Sequence, residues 1–295
     1  MNSITLLSPA KVNLTFEILG KRGDGYHEIK STMQPINLFD HVTVNVLEGD
    51  GIEILSKGVK VPEDENNLAH KAAAAYIEKC GIKDHKIEIT LDKSIPVGSG
   101  LGGGSSNAAA VLIALNRLLK ALNEDDLLEI APSLGADVAF FIRCITAYVE
   151  GIGEKVTSLP DFPLFNYVVI YPKFEVSTKE VYEKWDRMFQ DQAKDNSDLE
   201  TEGINEIFLN TEELPPVFSD LEEPAFEMYP VLRKYKQLLL SLEAKPVIIS
   251  GSGSSIYAIF REDAEAKELY KYLITNSDFN TYLLKGIHGW HRIAD

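Results

Sequence analysis

The chain is poor in cysteine, poor in positive charge and without a long apolar run, and each shortage excludes something. Cys80 and Cys144 are the only cysteines in 295 residues. Two such isolated thiols form no metal or redox motif and no disulfide framework, which suits a reducing cytosol. Lysine and arginine total 29 against 45 acidic residues, a net charge of −16. That balance argues against non-specific binding to nucleic acid or to an anionic membrane. No stretch approaches the roughly 20 apolar residues that span a bilayer. Met1 to Leu7 has neither the basic region nor the apolar core of a signal peptide, so a cytoplasmic protein is expected. The six histidines form no ligand pattern: His288 and His291 stand i, i+3 with no accompanying carboxylate motif, so no metal-ligating residues are assigned. No G-x-S-x-G elbow is present. What remains, at 45% hydrophobic and 25% charged, is the composition of a soluble globular protein with core enough for two domains.

Glycine is abundant in one place. Gly98, Gly100, Gly102, Gly103 and Gly104 fall within seven positions, followed by Ser105, Ser106 and Asn107 and then by the apolar run Ala108 to Leu115. Glycine loses more conformational freedom on folding than any other residue, so a cluster implies backbone that turns sharply or approaches a ligand closely. The alanines and leucines downstream predict a helix over Ala108 to Leu122. A helix start offers unpaired N–H groups and partial positive charge, which suits phosphate. The plainer alternative is a flexible loop with Ser105, Ser106 or Asn107 as an ordinary N-cap. Gly98, Gly100 and Gly103 spell G-x-G-x-x-G, yet no short buried strand leads into them. About 20 residues on stand Glu124-Asp125-Asp126, a polar helix start, so the dinucleotide reading fails on context. No Gly-Lys-Ser/Thr follows, which excludes a Walker A loop, and protein-kinase signatures are missing.

Along the chain, Ala10, Val12, Leu14, Phe16 and Ile18 alternate with Lys11, Asn13, Thr15 and Glu17, a strand with one apolar and one polar face. Lys11 and Asn13 share the polar side, where a lysine is ordinarily solvated. After the turn at Asp24-Gly25, strands are expected over Glu28 to Ile36, Val42 to Leu47 and Ile52 to Leu55. Asn67 opens a helix over Leu68 to Cys80, Lys86 to Leu91 forms a strand, and Asn123 starts a helix that ends near Ser133. Asp137, inside Gly135-Ala136-Asp137-Val138-Ala139-Phe140-Phe141-Ile142, is a lone carboxylate among apolar neighbours. It is either a helix cap or a functional group. Beyond a boundary near Pro160 to Pro163, a strand over Tyr167 to Tyr171 precedes a helix over Thr178 to Met188. The stretch Asp191 to Pro216 is acidic with little periodicity, a surface excursion or a loosely packed helix-loop. A helical region follows over Pro224 to Leu242. A strand to Ile249, a second glycine loop over Ser250 to Ser255, a strand over Ile256 to Phe260 and a helix over Ala264 to Ile274 complete the order. The fold class is α+β.

Three separated segments match one family. Ser8-Pro9-Ala10-Lys11-Val12-Asn13-Leu14, Pro96 through Ala109, and Ser250-Gly251-Ser252-Gly253-Ser254 resemble the three motifs of the GHMP small-molecule kinases. Arg22-Gly23-Asp24-Gly25-Tyr26-His27 and Gly135-Ala136-Asp137-Val138 narrow the likeness to the branch that acts on a cytidine diphosphate carrying a methylerythritol. The resemblance implies a two-domain GHMP kinase architecture. Residues 1–160 would form a nucleotide-binding domain like ribosomal protein S5 domain 2, and residues 161–295 a C-terminal α/β sandwich-like domain. It implies transfer of phosphate from ATP, with Mg²⁺, to the 2-hydroxyl of the erythritol, a step of non-mevalonate isoprenoid biosynthesis. By position, Pro96, Val97, Gly98, Ser99, Gly100, Leu101, Gly102, Gly103, Gly104, Ser105 and Ser106 would wrap the phosphates, with Asn67 and Lys93 near the adenine. Asn13, Tyr26, His27, Thr178 and Tyr182 would hold the cytidylyl substrate, and Lys11 and Asp137 would be catalytic. Ser105 or Ser106 could touch the metal. Two departures stand out: Ala139 where the family commonly has proline, and Ser99 where alanine or glycine is commoner. Neither removes a reacting group. Other GHMP substrates (homoserine, mevalonate, a sugar) lack the cytosine that Tyr26-His27 would grip. A nicotinamide oxidoreductase and a silent nucleotide-binding module are the remaining alternatives.

Overall fold

The computed structural model describes residues 2–189, 214 and 216–289, so the acidic stretch over Asp191 to Pro216 lies almost wholly outside the described residues, as does His291. The N-terminal half is organised by a long hairpin of β1 (Ser3–Lys21) and β2 (His27–Glu48). On the other edge of β2 its C-terminal half pairs with β4 (His85–Lys93), and its N-terminal half with β5 (Ala147–Gly151). β3 (Gly51–Gly58) runs parallel to β4, and β6 (Lys155–Ser158) antiparallel to β5. Two strands were expected where β2 is continuous: Asn37 and Leu38 bulge out of the ladder, and the pairing with β1 continues on both sides of them. One register shift in β1 falls between Pro9 and Ala10, where proline has no N–H to give the ladder.

Four helices cover one face of this sheet. α1 (Leu68–Cys80) starts at Asn67, whose side chain accepts from the Ala69 N–H, and stops at left-handed Gly81. α2 (Gly103–Leu119) begins five residues before the expected Ala108. The propensity argument excluded glycines, whereas Gly102 in the left-handed region, φ 74°, turns the chain so that Gly103 to Ser106 form the first turn. α3 (Glu124–Leu134) carries a capping box between Asn123 and Asp126. The short α4 (Val138–Arg143) follows. Leu6, Met33, Val42, Val44, Ile87 and Ile89 from the strands pack against the alanines of α1 and α2 and against Phe140 and Phe141.

The second sheet has the order β11-β7-β10-β9 and is antiparallel throughout: β7 (Asn166–Tyr171), β9 (Val247–Ile249), β10 (Ile256–Phe260) and β11 (Asn280–Lys285). α5 (Thr178–Phe189), α6 (Glu222–Met228), α7 (Pro230–Ser241) and α8 (Asp263–Asn276) pack around it, and β8 (Phe218–Ser219) adds to the outer edge of β1. Ala10, Val12, Leu14 and Ile36 of the hairpin share a core with Tyr167, Val169, Tyr257 and Ile259 of the second sheet. The polar face expected to be solvated is therefore covered as well: Lys11, Asn13 and Thr15 are buried.

Candidate active site

Two glycine-rich loops meet at the N-terminus of α2. Gly98, Gly100 and Gly102 all lie in the left-handed region, and no side chain caps the helix. A Cβ on Gly100 would lie 2.0 Å from the Ser250 carbonyl oxygen, and one on Gly102 would lie 2.9 Å from the Phe141 ring. The loop is thus wedged between the second glycine loop and α4, its backbone exposed on the remaining side. That side opens into a cavity of about 480 Å³. Lys11, Asn67, Lys93, Pro96 to Gly100, Gly102 to Ser105, Asp137, Thr178 and Tyr182 all line it.

Leu101 and Ser106 do not line it. Leu101 is buried in the core, and its carbonyl accepts from the Lys11 N–H at 3.0 Å, tying the loop to β1. Ser106 turns inward to a 2.7 Å hydrogen bond with Ser8, so Ser105 is the serine of the pair that faces the cavity. Lys93 reaches beneath the loop, where its ammonium is held by Asp40 and by Asn107. Asp40 is wholly buried and also accepts from the N–H groups of Ser94 and Ile95 at 2.7 and 2.8 Å. Every lone-pair direction of that carboxylate is engaged, the condition under which a buried charge is tolerated. Asn67 spends its side chain on the α1 cap and on the Pro62 carbonyl.

Across the cavity mouth, the Lys11 ammonium stands 3.4 Å from Asp137 Oδ2. Lys11 also donates to Asn13 Oδ1 at 2.5 Å, and Asn13 donates in turn to Ser31. This chain fixes the ammonium from behind, while the side chain of Asp137 remains 23% exposed to the cavity. Asp137 occupies the cap position of α4 yet makes no capping hydrogen bond, which leaves its oxygens for other work. A Cβ on Gly251 would lie 3.7 Å from the Lys11 ammonium, so the second glycine loop forms the far wall. Its Ser252 is hydrogen-bonded to Thr178 at 2.8 Å.

Asn13, Tyr26 and His27 are not in the cavity wall. Tyr26 is exposed at the hairpin tip. His27 is buried, stacks on Tyr182 with ring centroids 4.7 Å apart and meets Trp185 edge-on. Its Nε2 lies 2.6 Å from Asp186, which also receives Lys21 at 2.5 Å. Burial alone would raise the Asp186 carboxyl, but the hydrogen bonds from Lys21 and His27 overcome it and hold the group below its ordinary value. Burial, with the nearby Asp137 charge second, pushes the Tyr182 phenol well above its ordinary value, so its hydroxyl stays protonated.

Asp40, Asn107, Asp186, Gly251 and Ser252 received no role from sequence reasoning. Asn107, Gly251 and Ser252 lay within quoted motifs and could have been followed. Asp40 and Asp186 carry no local signal, being single carboxylates in a strand and on a helix.

The GHMP kinases N terminal domain matches residues 67–144, and the GHMP kinases C terminal domain matches residues 203–277. A 4-diphosphocytidyl-2-C-methyl-D-erythritol kinase of Syntrophotalea carbinolica is 35% identical over 96% of this chain and 99% of its own. One from Carboxydothermus hydrogenoformans is 40% identical over 91% of this chain and 92% of its own. The chain belongs to the 4-diphosphocytidyl-2-C-methyl-D-erythritol kinase family. A crystal structure of a 4-(cytidine 5′-diphospho)-2C-methyl-D-erythritol kinase superposes with a TM-score of 0.78 at 34% identity, covering 96% of this chain and 99% of that one. In this family member the two-domain GHMP kinase fold is thus carried through nearly the whole chain.

Proposed function

We propose that the chain transfers the γ-phosphoryl group of ATP to the 2-hydroxyl of 4-diphosphocytidyl-2-C-methyl-D-erythritol, giving the 2-phosphate and ADP in non-mevalonate isoprenoid biosynthesis. The observation that carries the mechanism is the Lys11–Asp137 pair, 3.4 Å apart at the mouth of the uncapped α2. The first-turn amides of Gly103, Gly104 and Ser105 receive the phosphates, as a helix start with unpaired donors does. Asp137 accepts the proton of the attacking hydroxyl as its oxygen bonds to the γ-phosphorus and the bond to the ADP oxygen breaks. Lys11, held by Asn13, stabilises the charge on the transferring group and keeps Asp137 turned to the substrate.

No group of three His, Cys, Asp or Glu side chains suited to a metal ion occurs among the described residues. A Mg²⁺ ion would be held by the phosphates with Ser105, which lines the cavity, as its protein contact, and would supply charge neutralisation. Asn67 and Lys93 are assigned to the adenine side of the cavity, and Pro96 to Gly100 with Gly102 to Ser105 to the phosphate side. The cytidylyl end is assigned to Tyr26, His27, Thr178 and Tyr182, supported by the His27–Tyr182 stack beside the cavity. Residues 1–160 and 161–295 are taken as the two domains, since β1 to β6 lie in the first sheet and β7, β9, β10 and β11 in the second, with only the two-residue β8 returning to the first.

The test is ADP release from Mg-ATP with the cytidylyl alcohol, homoserine, mevalonate and a hexose. Turnover is expected with the cytidylyl alcohol alone. Turnover indistinguishable from the blank with that substrate, or a preference for another, rejects the assignment.

A further inference from the structure

We propose that Asp186, anchored by Lys21, is a positioning and specificity residue that holds His27 as the Nε2–H tautomer, so that Nδ1 is offered as an acceptor to an amino-bearing pyrimidine. The proposal rests on the reading of His27 as part of the cytidylyl pocket. An ionised carboxylate is acceptor-only, so the 2.6 Å contact between Asp186 Oδ1 and His27 Nε2 requires the proton on Nε2. Lys21, at 2.5 Å from the other carboxylate oxygen, keeps Asp186 ionised and fixes its plane. The direction of the Asp186 titration, below its ordinary value, agrees. Among the described residues nothing hydrogen-bonds Nδ1.

Three restraints then orient one ring: the carboxylate at Nε2, the Tyr182 face at 4.7 Å and the Trp185 edge at 5.7 Å. Tyr182, Trp185 and Asp186 all sit on α5, while Lys21 and His27 flank the turn between β1 and β2. The ion pair therefore also pins the hairpin to the helix that supplies the stacking ring. In the neutral ring one nitrogen donates and the other accepts. With the donor spent on Asp186, the free nitrogen can accept from the exocyclic amine of cytosine. It repels the carbonyl oxygen that uracil presents at the same place. A buried acceptor facing an acceptor is the kind of mismatch that gives strong discrimination.

The experiment combines two readouts. Long-range ¹H–¹⁵N spectra of the ligand-free protein report the His27 tautomer, recorded above the pH at which the same spectra show the ring to have lost its second proton. Steady-state kinetics then compare wild type, Asp186→Ala and Asp186→Glu, with CDP and UDP as competing ligands. The expected result is Nε2–H in the wild type. In Asp186→Ala the KM for the cytidylyl alcohol should rise about tenfold, the order of one charge-assisted hydrogen bond. The preference for CDP over UDP should fall with it, the KM for ATP should stay constant, and Asp186→Glu should recover part of the loss. A merely structural role would move both KM values or neither. An Nδ1–H tautomer in the wild type overturns the proposal whatever the variants do. So does an Asp186→Ala protein with unchanged KM and CDP preference. A wild type that does not turn over the cytidylyl alcohol instead overturns the kinase reading, which the tautomer measurement does not touch.

Discussion

Lys11 lies on a strand face that alternation marks as polar, and residue type alone would leave it in water. What buries it is the arrival of α4 and the second glycine loop, both remote in sequence. Its partner Asp137 was equally ambiguous, and it stands at the cap position without a capping bond. Replacing Asp137 by Asn keeps the shape and removes the proposed base, so kcat should fall by about 10²–10⁴-fold. ATP affinity, read by titration, should be nearly unchanged; near-normal turnover would remove Asp137 from the chemistry. A second residue-scale expectation concerns Asp40. Truncation to Ala strands the Lys93 ammonium in the interior, and breaking such a pair costs about 3–5 kcal/mol. Urea unfolding should show that loss, whereas a change under about 1 kcal/mol, ordinary for a surface site, would mean that the network is dispensable.

At the scale of elements, the legible parts were those whose signals are local. α1 was expected over Leu68 to Cys80 and is found there, because Asn67 caps it and Gly81 ends it. α2 started early because a left-handed glycine and tight neighbours, which periodicity cannot register, wind the loop into the helix. The short β5, β6 and β11 were not anticipated: β5 and β11 pair with strands far away in the sequence, and β6 is a four-residue strand added to β5. The loop geometry gives a direct expectation for Gly100→Ala. The new Cβ would meet the Ser250 carbonyl oxygen at 2.0 Å in a left-handed backbone, so the loop amides proposed to receive the phosphates must shift. A displacement of that order lowers kcat/KM for ATP by about 10²-fold; wild-type kinetics would show that the loop does not set the amides.

The α5–hairpin contact adds a pH dependence. Asp186 has its carboxyl lowered in the folded state, so its contribution to stability is complete above the ordinary carboxyl value of about 3.9. It is lost as pH falls through the lower folded value. The stability difference between wild type and Asp186→Asn should therefore shrink as pH falls below about 4. A difference that grows on acidification would carry the wrong sign.

For the whole molecule, the β1–β2 hairpin is shared property. One face completes the core beneath α1, α2 and α4, and the other completes the core of the second sheet. Tyr257 of β10 donates to the Asn13 carbonyl at 2.5 Å, next to the residue that holds Lys11. The two halves therefore meet at the strand that carries Lys11, and the cavity is walled by both. Family motifs exposed that plan in the sequence because they mark its three glycine and lysine segments. The polar supports behind them, Asp40 and Asp186, became visible only with the chain folded.

The most direct test is a crystal structure with a non-hydrolysable ATP analogue and the cytidylyl alcohol. The expected result places the triphosphate on the amides of Gly103 to Ser105, with the acceptor hydroxyl between the γ-phosphorus and Asp137. A triphosphate seated away from the start of α2, or a hydroxyl out of reach of Asp137, would contradict it.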